Sequence, residues 1–152
     1  YGTVHRVESA AEMTAVAVEL APDADALVSA AAISDYTIEA ADEKLRSGRD
    51  SLTLELEPTP KLIDAVRADH PDLPIVGFKA ESAGEDEQLL ARARDVQERT
   101  DLAFVVANDA SVMGETDSRA LLVEADSHRE YTGDKRGLGR AVARRIAAKL
   151  GD

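Results

Sequence analysis

The 152-residue chain contains no cysteine, which removes a disulfide framework, a thiolate metal site and a cysteine nucleophile together. An intracellular setting agrees with that absence. No apolar run approaches the roughly 18 residues that span a bilayer, and the amino end lacks a basic region followed by an apolar segment. A soluble, cytoplasmic protein with no membrane partner is the expectation. Standard signatures are missing too: no Walker loop, no G-x-G-x-x-G at a strand-to-helix turn, no G-x-S-x-G elbow and no paired-His metal motif. His5, His70 and His128 lie far apart with no acidic partner at a suggestive offset. Surface or cap roles suit them better than catalysis.

Lysine is scarce, five against thirteen arginines, and Asp plus Glu at 30 outnumber Lys plus Arg at 18. The resulting net charge of -12 repels nucleic acid and anionic membrane at long range. An acidic, lysine-poor but globular composition predicts adaptation to high salt, where screening makes self-repulsion tolerable. Disorder is the competing reading of such acidity, and regular apolar periodicity argues against it. With 44% hydrophobic residues, the chain can bury one core, so residues 1–152 are expected to form a single domain.

That periodicity sets out the elements. Tyr1 to Val7 alternates loosely, as a strand would, and Ser9-Ala-Ala-Glu12 is a capping box opening a helix to about Ala21. After Pro22 comes a short buried strand at Ala26 to Ala30. Ser51 to Glu57 alternates leucine with polar residues, the period-two pattern of a half-buried strand. Pro58 and Pro60 stop it, and Thr59 is placed to cap a helix running through Asp69. Ile75 to Ala80 and Leu102 to Ala107 are further short apolar strands, separated by an amphipathic helix from Glu81 to Arg99. Ala120 to Glu124 and Arg129 to Thr132 read as two late strands, and Gly133 opens a last helix to about Leu150.

Apolar strands alternating with helices indicate an α/β fold: a Rossmann-like, three-layer, mostly parallel sheet with right-handed crossovers. The segment at Ser51 and the late strand pair are exceptions. Their two-faced pattern predicts an antiparallel appendage, an edge that pairs or swaps between subunits of a dimer.

Ligands of open α/β sheets bind outside the carboxyl ends of the strands. The stretch from Ser29 to Lys44 reads as a strand emptying into such a site. Ala30, Ala31 and Ala32 leave room for a ligand against backbone, with Asp35 and Lys44 flanking the crevice. A plain surface loop with two solvated charges is the competing reading, and these residues alone leave both open. Gly77-Phe78 and Asn108-Asp109 end two other strands at the same edge. A base could lie by Phe78 while Lys44 meets phosphates. Arg136, Arg140 and Arg144 line up cations four apart on the last helix. A solvated helix face explains them better than a phosphate patch, given the net charge.

Six segments stand in order between Ala31 and Asp109: Ala31-Ala-Ile-Ser-Asp-Tyr, Glu43-Lys-Leu, Leu52-Thr-Leu-Glu-Leu, Thr59-Pro-Lys-Leu-Ile, Val76-Gly-Phe-Lys-Ala-Glu and Val105-Val-Ala-Asn-Asp. Together they resemble phosphopantothenoylcysteine synthetase, the ligase module of the bacterial and archaeal bifunctional coenzyme A proteins. The resemblance implies a Rossmann-like homodimer that activates the carboxylate of 4'-phosphopantothenate with CTP. An acyl-cytidylate and pyrophosphate form, and the amine of cysteine then attacks; magnesium is required. FMN belongs, by the same resemblance, to a separate decarboxylase module outside this chain.

Carried over by that resemblance, nucleotide contacts fall on Ser29, Ala30, Ala31, Asp35, Pro60, Lys61, Leu62, Ile63 and Phe78, with Asp35 also the metal ligand. Lys44 is the catalytic flap lysine. Two departures stand out. Arg94 and Glu98 occupy the places of two family lysines, with Arg94 able to keep a phosphate contact and Arg99 the nearest replacement for the second. The family's opening glycine-rich segment and its I-T-N-x-S-S-G motif are absent, so the chain is expected to be the carboxyl-terminal portion of such a domain. Its partners would be that segment or the decarboxylase module of the same protein. The alternative is a nucleotide-binding or dimerising module with no turnover.

Overall fold

The computed structural model describes residues 2–38, 51–81, 86–109 and 117–151. Helix α1 (Ala10–Leu20) starts where the capping box places it: the Ser9 hydroxyl accepts from the Glu12 amide at 3.1 Å. The Glu12 carboxylate reaches one residue further back than expected, accepting from the Glu8 amide at 2.7 Å. A short 3₁₀ turn (Ala21–Asp23) at Pro22 delivers the chain into β1 (Leu27–Ser29). Strands β2 (Tyr36–Thr37) and β3 (Glu57–Pro58) follow, then α2 (Leu62–Asp69), β4 (Ile75–Glu81) and α3 (Asp86–Arg99). Strands β5 (Phe104–Asp109), β6 (Asp117–Val123) and β7 (His128–Asp134) lead into α4 (Lys135–Leu150).

Five strands form one sheet in the order β1-β4-β5-β6-β7. The first three are parallel, with Val28 opposite Val76 and Phe78 opposite Val106. β5 and β4 read as near-continuous apolar runs because both of their faces are covered. On one face Ile75, Val105, Ala107, Leu121 and Val123 pack with Leu62 and Val66 of α2 and Leu89 and Ala93 of α3. On the other, Val76, Phe104, Val106, Ala120 and Leu122 pack with Val142 of α4. The three layers are those the alternation of strands and helices predicts.

At the amino ends of β4 and β5, Arg67 ties the turns together. Its guanidinium donates to the carbonyls of Pro71 (2.6 Å), Leu73 (2.8 Å) and Asp101 (2.7 Å). Asp101 itself adopts a left-handed φ of 48°, which lets the chain leave α3 sharply.

Four expectations change. The late strand pair is no appendage: β6 is hydrogen-bonded to β5 and extends the main sheet, because Leu121 and Val123 are needed in its core. The separate antiparallel piece is instead the small β2–β3 sheet. Ser51 to Leu56 form no strand; Leu52, Leu54 and Leu56 are about half exposed, and among the described residues no neighbour pairs with them. Residues 2–7 are likewise irregular, with Val4 exposed. Thr59 does not cap α2, because the helix begins at Leu62 and Thr59 lies two residues before the cap position, its amide donating to the Asp35 carbonyl at 2.9 Å. Lys61 is the cap residue and makes no side-chain cap bond.

Candidate functional site

β1 stops at Ser29, opposite Gly77, while β4 continues to Glu81, so Phe78 is not the strand end expected but lies just past the end of its parallel neighbour. A cleft of about 770 Å³ opens there. It is lined by Ser29 and Gly77, by the first turn of α2 and by Arg92, Asp95 and Arg99 of α3. At Gly77 a Cβ would come 2.8 Å from Leu102 Cδ1, so any side chain there would displace that buried methyl. The uncapped start of α2 contributes backbone amides that have no partner within the helix.

Asp35 stands where the loop from β1 turns into β2. Its carboxylate accepts from the Lys61 ammonium across the cleft mouth. That hydrogen bond, then the charge of Lys61, and more weakly the charge of Lys79, hold the Asp35 carboxyl below its ordinary value. The pairing of Tyr36 with Pro58 and of Thr37 with Glu57 brings the two segments together. Fold and ion pair therefore join sequence positions 26 residues apart.

Eight of the eleven positions carried over by the resemblance line this one cleft: Ser29, Ala31, Asp35, Pro60, Lys61, Leu62, Ile63 and Phe78. Ala30 is exposed but does not line it. Arg94 does not line it either, because it is half a turn from the Arg92–Asp95–Arg99 stripe, and its Nε is buried without a hydrogen-bond partner. Lys44 lies outside the described residues. Arg92, Asp95 and Lys79 were not among the residues read as a site; Arg92 and Asp95 follow once α3 is phased on its buried Leu89 and Ala93.

Magnesium finds no ready cage here. Among the described residues no group of three His, Asp or Glu side chains is placed to hold a metal, and the Asp35 carboxylate is engaged by Lys61. Asp35 would have to exchange the ammonium for the ion.

Residues 2–150 match the model of one protein family, described as the DNA/pantothenate metabolism flavoprotein C-terminal domain. A coenzyme A biosynthesis bifunctional protein CoaBC from Thermococcus kodakarensis is 40% identical over 129 residues, which is 84% of this chain and 30% of that protein. The chain thus spans under a third of the length of that curated relative. Among solved structures, the DNA/pantothenate metabolism flavoprotein from Streptococcus pneumoniae superimposes with a TM-score of 0.85 at 21% identity, covering 97% of this chain and 73% of that one. A Cab2 mutant in complex with phosphopantothenate-cysteine superimposes with a TM-score of 0.71 at 17% identity, covering 96% of this chain and 54% of that one. At such identities the two structures establish the fold alone.

Proposed function

The chain belongs to the DNA/pantothenate metabolism flavoprotein C-terminal domain family, and on that premise we propose that it forms the nucleotide cleft of a CTP-dependent ligase of coenzyme A biosynthesis. The reaction joins 4'-phosphopantothenate to cysteine. The pantothenate carboxylate attacks the α-phosphorus of CTP and pyrophosphate leaves; the cysteine amine then attacks the acyl carbon and CMP leaves. The observation that carries this reading is the gathering of Ser29, Ala31, Asp35, Phe78 and the Pro60 to Ile63 turn around one cleft past the carboxyl end of β1.

Each group has a chemical part in it. Ala31 lets the nucleotide approach the backbone, and Phe78, 36% exposed, offers a ring face to a base. Lys61 and the open amides of α2 present positive charge to the anionic ligand. Arg92 and Arg99 extend that charge along α3. Lys44 is proposed to close over the triphosphate and to stabilise charge building on the leaving pyrophosphate. Magnesium would arrive on the nucleotide phosphates, as it does where few protein ligands are offered. A cytoplasmic homodimer belongs to the same proposal.

The test is ligation itself. The chain is incubated with CTP, magnesium, 4'-phosphopantothenate and cysteine, alone and joined to a glycine-rich segment carrying the I-T-N-x-S-S-G motif. Pyrophosphate release in the joined protein is expected, with Lys44→Gln reducing turnover by about tenfold or more. Absence of release in both forms would leave a binding module without turnover and overturn the ligase reading.

A further inference from the structure

The Asp35 carboxylate meets cations at the mouth of the cleft. The Lys61 ammonium sits on it, and the charge of Lys79, which lines the same cleft, reaches it more weakly. Neighbouring oxygens are engaged as well. The Asp35 carbonyl accepts from the Thr59 amide at 2.9 Å, and the Tyr36 carbonyl accepts from the Ser34 hydroxyl at 2.9 Å. Asp64 and Asp95 also line the cleft, yet among the described residues no three carboxylate or imidazole side chains are grouped to hold an ion.

This donor set does not fit a divalent cation. Magnesium needs oxygen ligands free to turn toward it, and a doubly charged ion approaching Asp35 would meet the Lys61 ammonium first, with like charges repelling at short range. An anion suits the same arrangement. Lys61 makes no side-chain cap bond, so it and the open amides at the start of α2 face one cleft. The flexible four-carbon stem of a lysine would otherwise spread its charge through solvent. Pairing with Asp35 keeps that charge at the cleft mouth.

We propose, resting on the nucleotide reading of the cleft, that Asp35 is a positioning residue rather than a metal ligand: it holds the Lys61 ammonium where the phosphates of the nucleotide meet it directly. A divalent ion accompanying the nucleotide then takes no ligand from Asp35, contrary to what the family resemblance implies.

CTP titrations followed by backbone amide NMR at constant ionic strength, once in EDTA and once with magnesium, test it. Wild type should bind in both. Asp35→Asn should weaken binding about threefold in either buffer and Lys61→Met about tenfold, while Asp35→Asn should add nothing in the Lys61→Met background. Both side chains are exposed, so the variants should keep the spectral dispersion of the wild type. Without nucleotide, Mn2+ up to about 1 mM should broaden the amides of Asp35 and Tyr36 no more than those beside other exposed carboxylates. The proposal is overturned if binding, or the loss in Asp35→Asn, is confined to magnesium, if that loss persists undiminished in the Lys61→Met background, or if Mn2+ broadening centres on Asp35. A wild type that binds no CTP in either buffer would overturn the nucleotide reading itself, and this proposal with it.

Discussion

The ammonium of Lys61 rests on the carboxylate of Asp35, closing the mouth of the cleft between the loop after β1 and the start of α2. The pair has a definite pH window. The Asp35 carboxyl is held below its ordinary value of 3.8, so the contact is fully formed above that value and is lost as pH falls through the lowered one. Lys61→Met should let the Asp35 carboxyl titrate at higher pH, as followed by side-chain carboxyl NMR, and should weaken CTP binding. An unshifted Asp35 titration would remove Lys61 as the cause. Asp35→Asn should also weaken CTP binding, and unchanged affinity would assign Asp35 to structure.

Arg67 predicts a stability effect without a binding effect. Removing its guanidinium in Arg67→Met leaves the carbonyls of Pro71, Leu73 and Asp101 without their donor. A loss of about 2–3 kcal/mol is expected, which for a chain of this size lowers Tm by roughly 5–10 °C. Arg140→Met, at an exposed site on α4, should change stability by no more than about 0.5 kcal/mol. Thermal unfolding of the two variants side by side provides the comparison.

Glu124 links β6 to α4 through Arg145. The Arg145 hydrogen bond is the main influence lowering the Glu124 carboxyl, partly opposed by burial and assisted by the charge of Lys149. Its contribution is present above the ordinary value of 4.5 and is lost as pH falls through the lowered one. Glu124→Gln should cost about 1 kcal/mol at pH 7 and flatten the acid limb of stability below pH 4.5. Urea unfolding at pH 7 and pH 3 checks both; an equal cost at the two values would contradict the ionic origin.

Leu52, Leu54 and Leu56 are 52%, 54% and 55% exposed, an apolar row with no strand beside it among the described residues. We propose that it pairs across a two-fold axis, since an unpaired apolar segment invites association. Salt screens the acidic surface, so a dimer should strengthen as ionic strength rises. Sedimentation at low and high salt, well above micromolar concentration, tests this. A monomer in both conditions would contradict it.

The strands β4 and β5 were legible because parallel strands covered on both faces must be written as short apolar runs, and β1, an edge strand with Val28 exposed, by its short run after Pro22. The start of α1 was legible because Ser9 and Glu12 carry its cap chemistry in the side chains themselves. What could not be read was decided by partners. Thr59 looks like a cap in isolation, yet it pairs with Asp35 beside the β2–β3 sheet and α2 begins only at Leu62. The leucines after Ser51 show a strand period that no described neighbour completes. Arg94 matched a family position, but the phase of α3 aims Arg92 and Arg99 at the cleft instead. That phase is fixed by which residues the sheet buries, and a motif match carries no such information.

The central claim is that the cleft past the end of β1, beside the middle of β4, holds a nucleotide. Titrating the chain with CTP and magnesium while observing backbone amides tests it most directly. Saturable shifts at Ser29, Ala31, Asp35, Lys61 to Ile63 and Phe78, reduced in Lys61→Met, are the predicted result. Shifts confined to other parts of the molecule, or none up to about 1 mM CTP, would contradict it.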